Sequence, residues 1–422
     1  MTFKSFLHAL SYFSIRAFLF PFSLLPYKWI HLLGKGLGII TFPFLTRYRK
    51  RALSNLSIAS DLNYSNLEIE ILAKESLGNL FTVALEYGKL SREKNIQRIA
   101  ECVNPEEADK IRGSGKGIIF FCAHQANWEL LFLEGTSRMK GIAIGQPVAN
   151  KFLYNWILRI REKFGGKIIE PKQSVKEGLK ALKKGVFLGI VGDQGLPDGG
   201  YLSSFLGRPA YTSPLPALLS HRSGSPIIFA STTRKEGKYI IRYSPAIWPS
   251  SEKTMDEDIP ILMDQALNLL ETSIRWNPGQ WLWQHNKWKQ QGPGRLKKSY
   301  RQDTIAVFLP LDETLSKGLI EELKVLREIY PTEFISFFLP KEVELPEKLA
   351  TETIHYTKPS HLKRKDYRFK LVFNLTSNSS LNKHYLGLSA FKVLTLDTIA
   401  KISKQSDIPL SSQLKKVILN AS

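Results

Sequence analysis

Residues 117–122 read Gly-Ile-Ile-Phe-Phe-Cys, a short unbroken apolar run closed by a glycine on one side and a polar turn on the other. A strand with one wet face would alternate, so a run of this kind is a strand buried on both faces. Residues 186–191 repeat the pattern and lead into the glycine-flanked loop 192–200. Between and around them lie segments with helical apolar spacing. Residues 65–90 predict a long helix, and 124–138, 151–164, 174–184, 215–221 and 256–276 predict further ones. Ser174 and Glu177 have the spacing of a capping box at the start of one of them. Residues 226–231 and 239–243 predict two more strands. Strands alternating with helices imply an α/β fold, a sheet covered by helices.

The chain has 422 residues, too many for one typical domain. Residues 290–301 (QQGPGRLKKSYR) have the composition of a linker. Beyond them, 304–309, 333–339 and 369–375 predict strands, and 319–330 and 381–391 predict helices. The division that follows is a membrane anchor region at 1–45, a main domain at 46–292, a linker at 293–302 and a second, smaller α/β domain at 303–422. The last shows no phosphate-binding glycine loop and no metal-ligand cluster. Two cysteines, Cys102 and Cys122, are too few for a disulfide framework or a zinc site.

Lys and Arg number 59 against 38 Asp and Glu, a formal charge of +21 that calls for an anionic partner. The first 60 residues hold eight basic side chains and no acidic one; Asp61 is the first carboxylate. The same stretch is strongly apolar from residue 6 to 44, then carries Arg47, Arg49, Lys50 and Arg51. Arg16, Pro21, Pro26, Lys28 and Lys35 interrupt every window of the roughly 20 apolar residues that a spanning helix requires. An interfacial anchor or a poor single span remains, with the basic cluster on the cytoplasmic side if it spans. A nucleic-acid partner is excluded by the absence of any groove or patch motif.

The chemistry concentrates at the end of the first strand. His124 follows it directly, and Glu129 comes five residues later at the start of a helix (HQANWE). A histidine takes a proton from a hydroxyl when a carboxylate fixes its tautomer and stabilises the imidazolium. Five residues do not bring the pair together on one regular helix, so His124 must lie in the preceding loop with Glu129 folded back. The carboxyl end of a strand is where α/β sheets collect their sites. Cys122 ends an apolar strand and reads as a buried, inert thiol.

These residues resemble the histidine-x4-acid motif of the late acyltransferases of lipid A synthesis, the lauroyl and myristoyl transferases, which are relatives of the glycerol-phosphate acyltransferases. Other segments agree in order. Pro147 and the run to Arg161 match a family segment. Gly192-Asp193-Gln194-Gly195 matches its Asp-Gln, and Phe205, Gly207, Ala210 and Thr212 keep the spacing downstream. Trp281-Leu282-Trp283 with His285, Trp288 and Lys289 matches its tryptophan-rich closing motif. The resemblance covers about residues 1–292. It departs at Ala126 and Gln146, where glycine and arginine are common, and at Asn286, where arginine is frequent.

The resemblance implies a glycerol-phosphate-acyltransferase-like sheet and acyl transfer from acyl carrier protein to a hydroxyl of a Kdo-bearing lipid A precursor. A lysophospholipid or another glycolipid is the alternative acceptor. It further implies His124 as general base, Glu129 as its orienting partner, and Arg161, Asp193, Asn127 and Gln194 as oxyanion- or substrate-binding residues. No metal or cofactor is implied. The partners would be acyl carrier protein, a phosphorylated glycolipid and the membrane, at the cytoplasmic face of a bacterial inner membrane.

Overall fold

The computed structural model describes residues 3–290, 292 and 294–420. It is a mixed α/β protein of two compact units, the first drawing on residues up to 44, 74–194 and 212–282, the second on 45–73, 195–211 and 283 onward.

In chain order the helices up to the last one of the first unit are α1 (Phe3–Leu19), α2 (Tyr27–Thr41), α3 (Thr46–Ile58), α4 (Asn66–Leu90), α5 (Glu106–Gly113), α6 (Glu129–Arg138), α7 (Lys151–Arg161), α8 (Ser174–Leu182), α9 (Leu215–Ser223) and α10 (Met255–Trp276). The strands are β1 (Ala100–Cys102), β2 (Ile119–Cys122), β3 (Gly141–Ile144), β4 (Lys167–Ile169), β5 (Phe187–Val191), β6 (Tyr201–Phe205), β7 (Arg208–Thr212), β8 (Ile227–Lys235) and β9 (Lys238–Tyr243). Seven of them form the sheet of the first unit, in the order β1-β9-β8-β2-β5-β3-β4, while β6 and β7 pair with each other. Only the β8–β9 hairpin is antiparallel in the seven-stranded sheet.

The two apolar runs of the sequence, β2 and β5, are central neighbours, and β2 is buried at all four positions. Phe120 and Cys122 turn to a core shared with Leu130 and Leu133 of α6 and Trp156 and Ile160 of α7. α8, α9 and α10 pack against β5, β2 and β8; Gly178 of α8 leaves room there for Leu188 and Leu219, which a Cβ would meet at 3.1 and 3.3 Å.

Local expectations differ from the structure in places. The helix predicted from residue 124 begins at Glu129, because Ala126 adopts φ +47° and breaks the turn. At α8 the N-cap is Gln173 without a side-chain bond, so Ser174 is already helical and its capping box with Glu177 does not form. A capping box does form between Thr254 and Glu257 at α10. No single described helix is long and apolar enough to cross a membrane. α1 and α2 nevertheless expose large apolar side chains, including Phe3, Phe6, Phe13, Phe18, Trp29 and Ile40.

The second unit contains β10 (Thr304–Phe308), β11 (Phe334–Pro340), β12 (Glu352–Tyr356), β13 (Leu371–Asn374) and β14 (Lys392–Leu394), with α11 (Glu313–Leu323), α12 (Val325–Ile329), α13 (Ser380–Gly387), α14 (Leu396–Ser403) and α15 (Leu410–Ile418). Its sheet is parallel throughout, in the order β12-β11-β10-β13-β14. Alternate residues go to opposite faces. Ile305, Val307, Phe337 and Phe373 join one core with α11, α12, α14 and α15, whereas Ala306, Phe308, Phe338 and Val372 join another with α13. Leu296 and Tyr300, inside the stretch predicted as a linker, are buried in the first of these cores.

Candidate active site

The register of two neighbouring strands builds the site. β2 and β5 run parallel with Cys122 opposite Val191. Two residues past each partner, the chain places His124 and Asp193 side by side at the carboxyl edge of the sheet. Asp193 is fully buried and grips His124 twice. Its Oδ1 lies 2.7 Å from Nδ1 of the ring, and its Oδ2 accepts the His124 backbone N–H at 3.0 Å. The indole Nε1 of Trp281 donates to the same Oδ2 at 2.8 Å. With Nδ1–H directed at a carboxylate, the imidazole holds its lone pair on Nε2, the tautomer of a general base. The Trp128 ring meets the imidazole edge-on at 4.7 Å.

The loop carrying His124 is clamped from several sides. The Leu282 N–H donates to the His124 carbonyl at 3.0 Å, and the Ala126 N–H donates to the Gln280 carbonyl at 2.8 Å. Gln125 exchanges two bonds with Ser273. Asn79 of α4 donates to the Ala126 carbonyl at 3.1 Å. The tryptophan-rich segment therefore serves twice: its backbone fixes the loop, and Trp281, wholly buried, holds Asp193.

Glu129 has a different partner from the one the motif suggests. Arg161 donates to it through Nε at 2.8 Å and Nη2 at 2.5 Å, and the Tyr87 hydroxyl donates to it at 2.5 Å. The geometry thus pairs His124 with Asp193 and Glu129 with Arg161. A carboxylate at the first turn of α6 lies where Arg161, in the last turn of α7, can form a two-pronged bond, which a carboxylate and a guanidinium favour. Burial alone would lower the Arg161 pKa, but Glu129 and Tyr87 more than offset this and raise it. Burial, and then Glu129, raise that of Tyr87.

Asn127 is fully buried and engaged at both ends. Its Nδ2 donates to Glu86 at 2.7 Å, and its Oδ1 accepts the Glu129 N–H at 3.1 Å, capping the first turn of α6. This side chain shapes the loop. Glu86 also receives the Tyr239 hydroxyl at 2.6 Å and lies 2.7 Å from His31 Nε2. Gln194 is exposed beside Asp193. Burial, then the charge of Asp193, push the Cys122 thiol well up, which fits an inert residue. Tyr87 and Glu86 were not singled out from sequence: both sit in an unremarkable helical pattern, and only their meeting with Glu129 and Asn127 marks them.

The sequence profile of the bacterial lipid A biosynthesis acyltransferases matches residues 1–290. The lipid A biosynthesis lauroyltransferase of Escherichia coli (strain K12) is 23% identical over 277 residues, which cover 64% of this chain and 88% of that protein. The match takes in the strand that carries His124, the loop of Asp193 and the tryptophan-rich segment, and the chain belongs to the bacterial lipid A biosynthesis acyltransferase family.

Proposed function

We propose that this protein transfers a fatty acyl group from the thioester of acyl carrier protein to a hydroxyl of a Kdo-bearing lipid A precursor, at the cytoplasmic face of a bacterial inner membrane. The observation that carries the reading is the 2.7 Å pairing of His124 with the buried Asp193 at the carboxyl end of the parallel strands β2 and β5. Nε2 of His124 takes the proton of the acceptor hydroxyl as its oxygen attacks the thioester carbonyl. The C–O bond forms, the C–S bond breaks, and the imidazolium returns the proton to the departing sulfur. Asp193 orients the ring and stabilises its charged form. Glu129 and Arg161 act as a positioning pair that fixes the start of α6 and with it the loop of His124.

The lauroyltransferase relative supports the acceptor class. The exposed apolar residues of α1 and α2, on a stretch without a carboxylate, support an anchor lying on an anionic bilayer. Division into an anchor at 1–45, an acyltransferase domain at 46–292, a linker at 293–302 and a second domain at 303–422 belongs to this proposal. The test is an assay of membranes containing the protein, with the thioester of acyl carrier protein or of coenzyme A as donor and either a lipid A precursor or a lysophospholipid as acceptor. Transfer to the lipid A precursor is expected. Transfer to the lysophospholipid alone overturns the acceptor, and use of a coenzyme A thioester alone overturns the donor.

A further inference from the structure

The Glu129 carboxylate neutralises Arg161, so a phosphate on a lipid substrate needs other cations. Two arginines in the first unit fit that need. Tyr87, which donates to Glu129, is followed by Gly88, and Gly88, Ser91 and Arg92 line a cavity of about 290 Å³ together with Arg16, Ser23 and Trp156. Small-ligand pockets run from roughly 300 to 1,000 Å³, so this one suits a phosphorylated headgroup better than a large ligand. The Trp156 ring lies 6.0 Å from that of Tyr87, which puts the cavity beside the Glu129–Arg161 cluster.

Aromatic rings, rather than carboxylates, hold both guanidinium groups. Arg16 lies over Trp156 at 5.6 Å and Tyr12 at 5.7 Å, and bonds the Tyr12 hydroxyl at 2.9 Å. Arg92 lies over Phe20 at 5.8 Å and bonds the Ser23 hydroxyl at 3.3 Å. Neither arginine forms an ion pair among the described residues, and no acidic residue lines the cavity. Rings orient a guanidinium without cancelling its charge. Two oriented, uncompensated arginines sharing one cavity form a phosphate site in the chemical sense. Phe13, Phe18, Phe20 and Leu24, on α1 and the turn after it, are all exposed, which suits a phosphate arriving with a lipid rather than from solution.

We propose that the Arg16–Arg92 cavity binds the phosphomonoester of a membrane lipid, as the phosphate subsite for the acceptor. The assignment to the acceptor rests on the acyl-transfer reading above; the binding itself does not. The full-length protein is sedimented, without acyl donor, with phosphatidylcholine vesicles containing phosphatidic acid, or phosphatidylglycerol at matched surface potential. The wild type is expected to prefer the phosphomonoester vesicles by about tenfold, the scale of a lost charge-assisted hydrogen bond. Arg16→Ala/Arg92→Ala loses that preference and Arg16→Lys/Arg92→Lys keeps part of it. Lys28→Ala/Lys35→Ala, which removes the same charge from α2, keeps all of it.

Equal binding of the two vesicle types by the wild type overturns the proposal, as does an unchanged preference in Arg16→Ala/Arg92→Ala. Loss of preference in Lys28→Ala/Lys35→Ala as well reduces the effect to general surface charge and overturns it too. Saturation by inorganic phosphate without any vesicle preference overturns the lipid assignment. In turnover, the arginine variant is expected to raise KM for a phosphorylated acceptor with kcat retained. A wild type that acylates no glycolipid removes the acyl-transfer reading but leaves the vesicle preference standing. Intact transfer with no vesicle preference removes only the present inference.

Discussion

At the carboxyl edge of the first unit's sheet, β2 and β5 each run two residues past a paired position and set His124 against Asp193. At the same edge of the second unit's sheet, β10 and β13 are also parallel neighbours, with Phe308 opposite Asn374. There β10 runs into Leu309 and Pro310, and the polar groups after β13 close on one another. Asn374 accepts from the Thr376 hydroxyl at 2.7 Å and donates to the Asn378 carbonyl at 3.0 Å and to Asn382 at 2.7 Å. Both sheets thus offer the position at which α/β folds collect sites. Only the first, among the described residues, fills it with a histidine against a buried carboxylate. Parallel architecture supplies a place for chemistry, and the side chains decide whether the place is used.

The strongest way to break this contrast is to remove the polar side chains at each edge. His124→Ala and Asp193→Asn are each expected to lower the initial rate of acyl transfer on the order of 10³-fold, since in the proposed mechanism the base and its orienting carboxylate act as a unit. Asn374→Ala is expected to leave kcat unchanged while weakening the second unit's fold. An Asp193→Asn protein with a near-normal rate would remove Asp193 as the partner of His124. A slow Asn374→Ala protein would give the second edge a part in the reaction.

How much of this was legible in the sequence follows from the same geometry. β2 and β5 were readable because central strands buried on both faces are unbroken apolar runs. β1 (Ala100–Cys102), β4 (Lys167–Ile169) and β12 (Glu352–Tyr356) are short or half-exposed and carry charged residues, so their patterns were too weak to read. His124 was legible from its place after β2. Its pairing with Asp193 was not, because that depends on β5 lying next to β2, and strand order is a long-range property. The motif drew attention to Glu129 as the nearest acid in sequence, whereas the nearest carboxylate in space comes from 69 residues further along. The helix start was misplaced by five residues for a local reason, the left-handed Ala126.

Buried ion pairs sharpen the comparison next, and one from each unit serves. In the second, Lys370 pairs with Asp303 at 2.7 Å and both side chains are 2% exposed; Lys370 also donates to Asn55 at 2.9 Å. Burial lowers the Lys370 pKa, with Asp303 opposing it. In the first, Arg161 and Glu129 are 21% and 6% exposed. Removing one partner leaves an unpaired buried charge, so Lys370→Met is expected to destabilise by about 3–5 kcal/mol in denaturant titrations. Lys370→Met/Asp303→Leu should recover most of that. Glu129→Gln, with more water available to Arg161, should cost about 2–3 kcal/mol. It should also slow acyl transfer less than Asp193→Asn does. The reverse order of rates would restore Glu129 as the partner of His124.

The smallest expected effect concerns Ala126, at the point where the loop of the first site turns. A left-handed backbone costs a residue with a Cβ about 1–2 kcal/mol, and Ala126→Gly would relieve that. Two terms oppose the gain. The Ala126 side chain is fully buried, so losing its methyl group forfeits about 0.8 kcal/mol. A glycine also has more freedom to lose on folding, about 0.4–1 kcal/mol. The sum lies within about 1 kcal/mol of zero, which explains physically how an alanine is tolerated at this left-handed position. The bonds from Ala126 N–H to the Gln280 carbonyl and from Asn79 to the Ala126 carbonyl persist in either residue, so His124 keeps its place. The Ala126→Gly rate should therefore stay within about twofold of wild type, a barrier change under about 0.5 kcal/mol. A stability gain above about 2 kcal/mol would show real strain at this turn. A tenfold loss of rate would show that the alanine methyl group, rather than the hydrogen bonds, holds the loop in register.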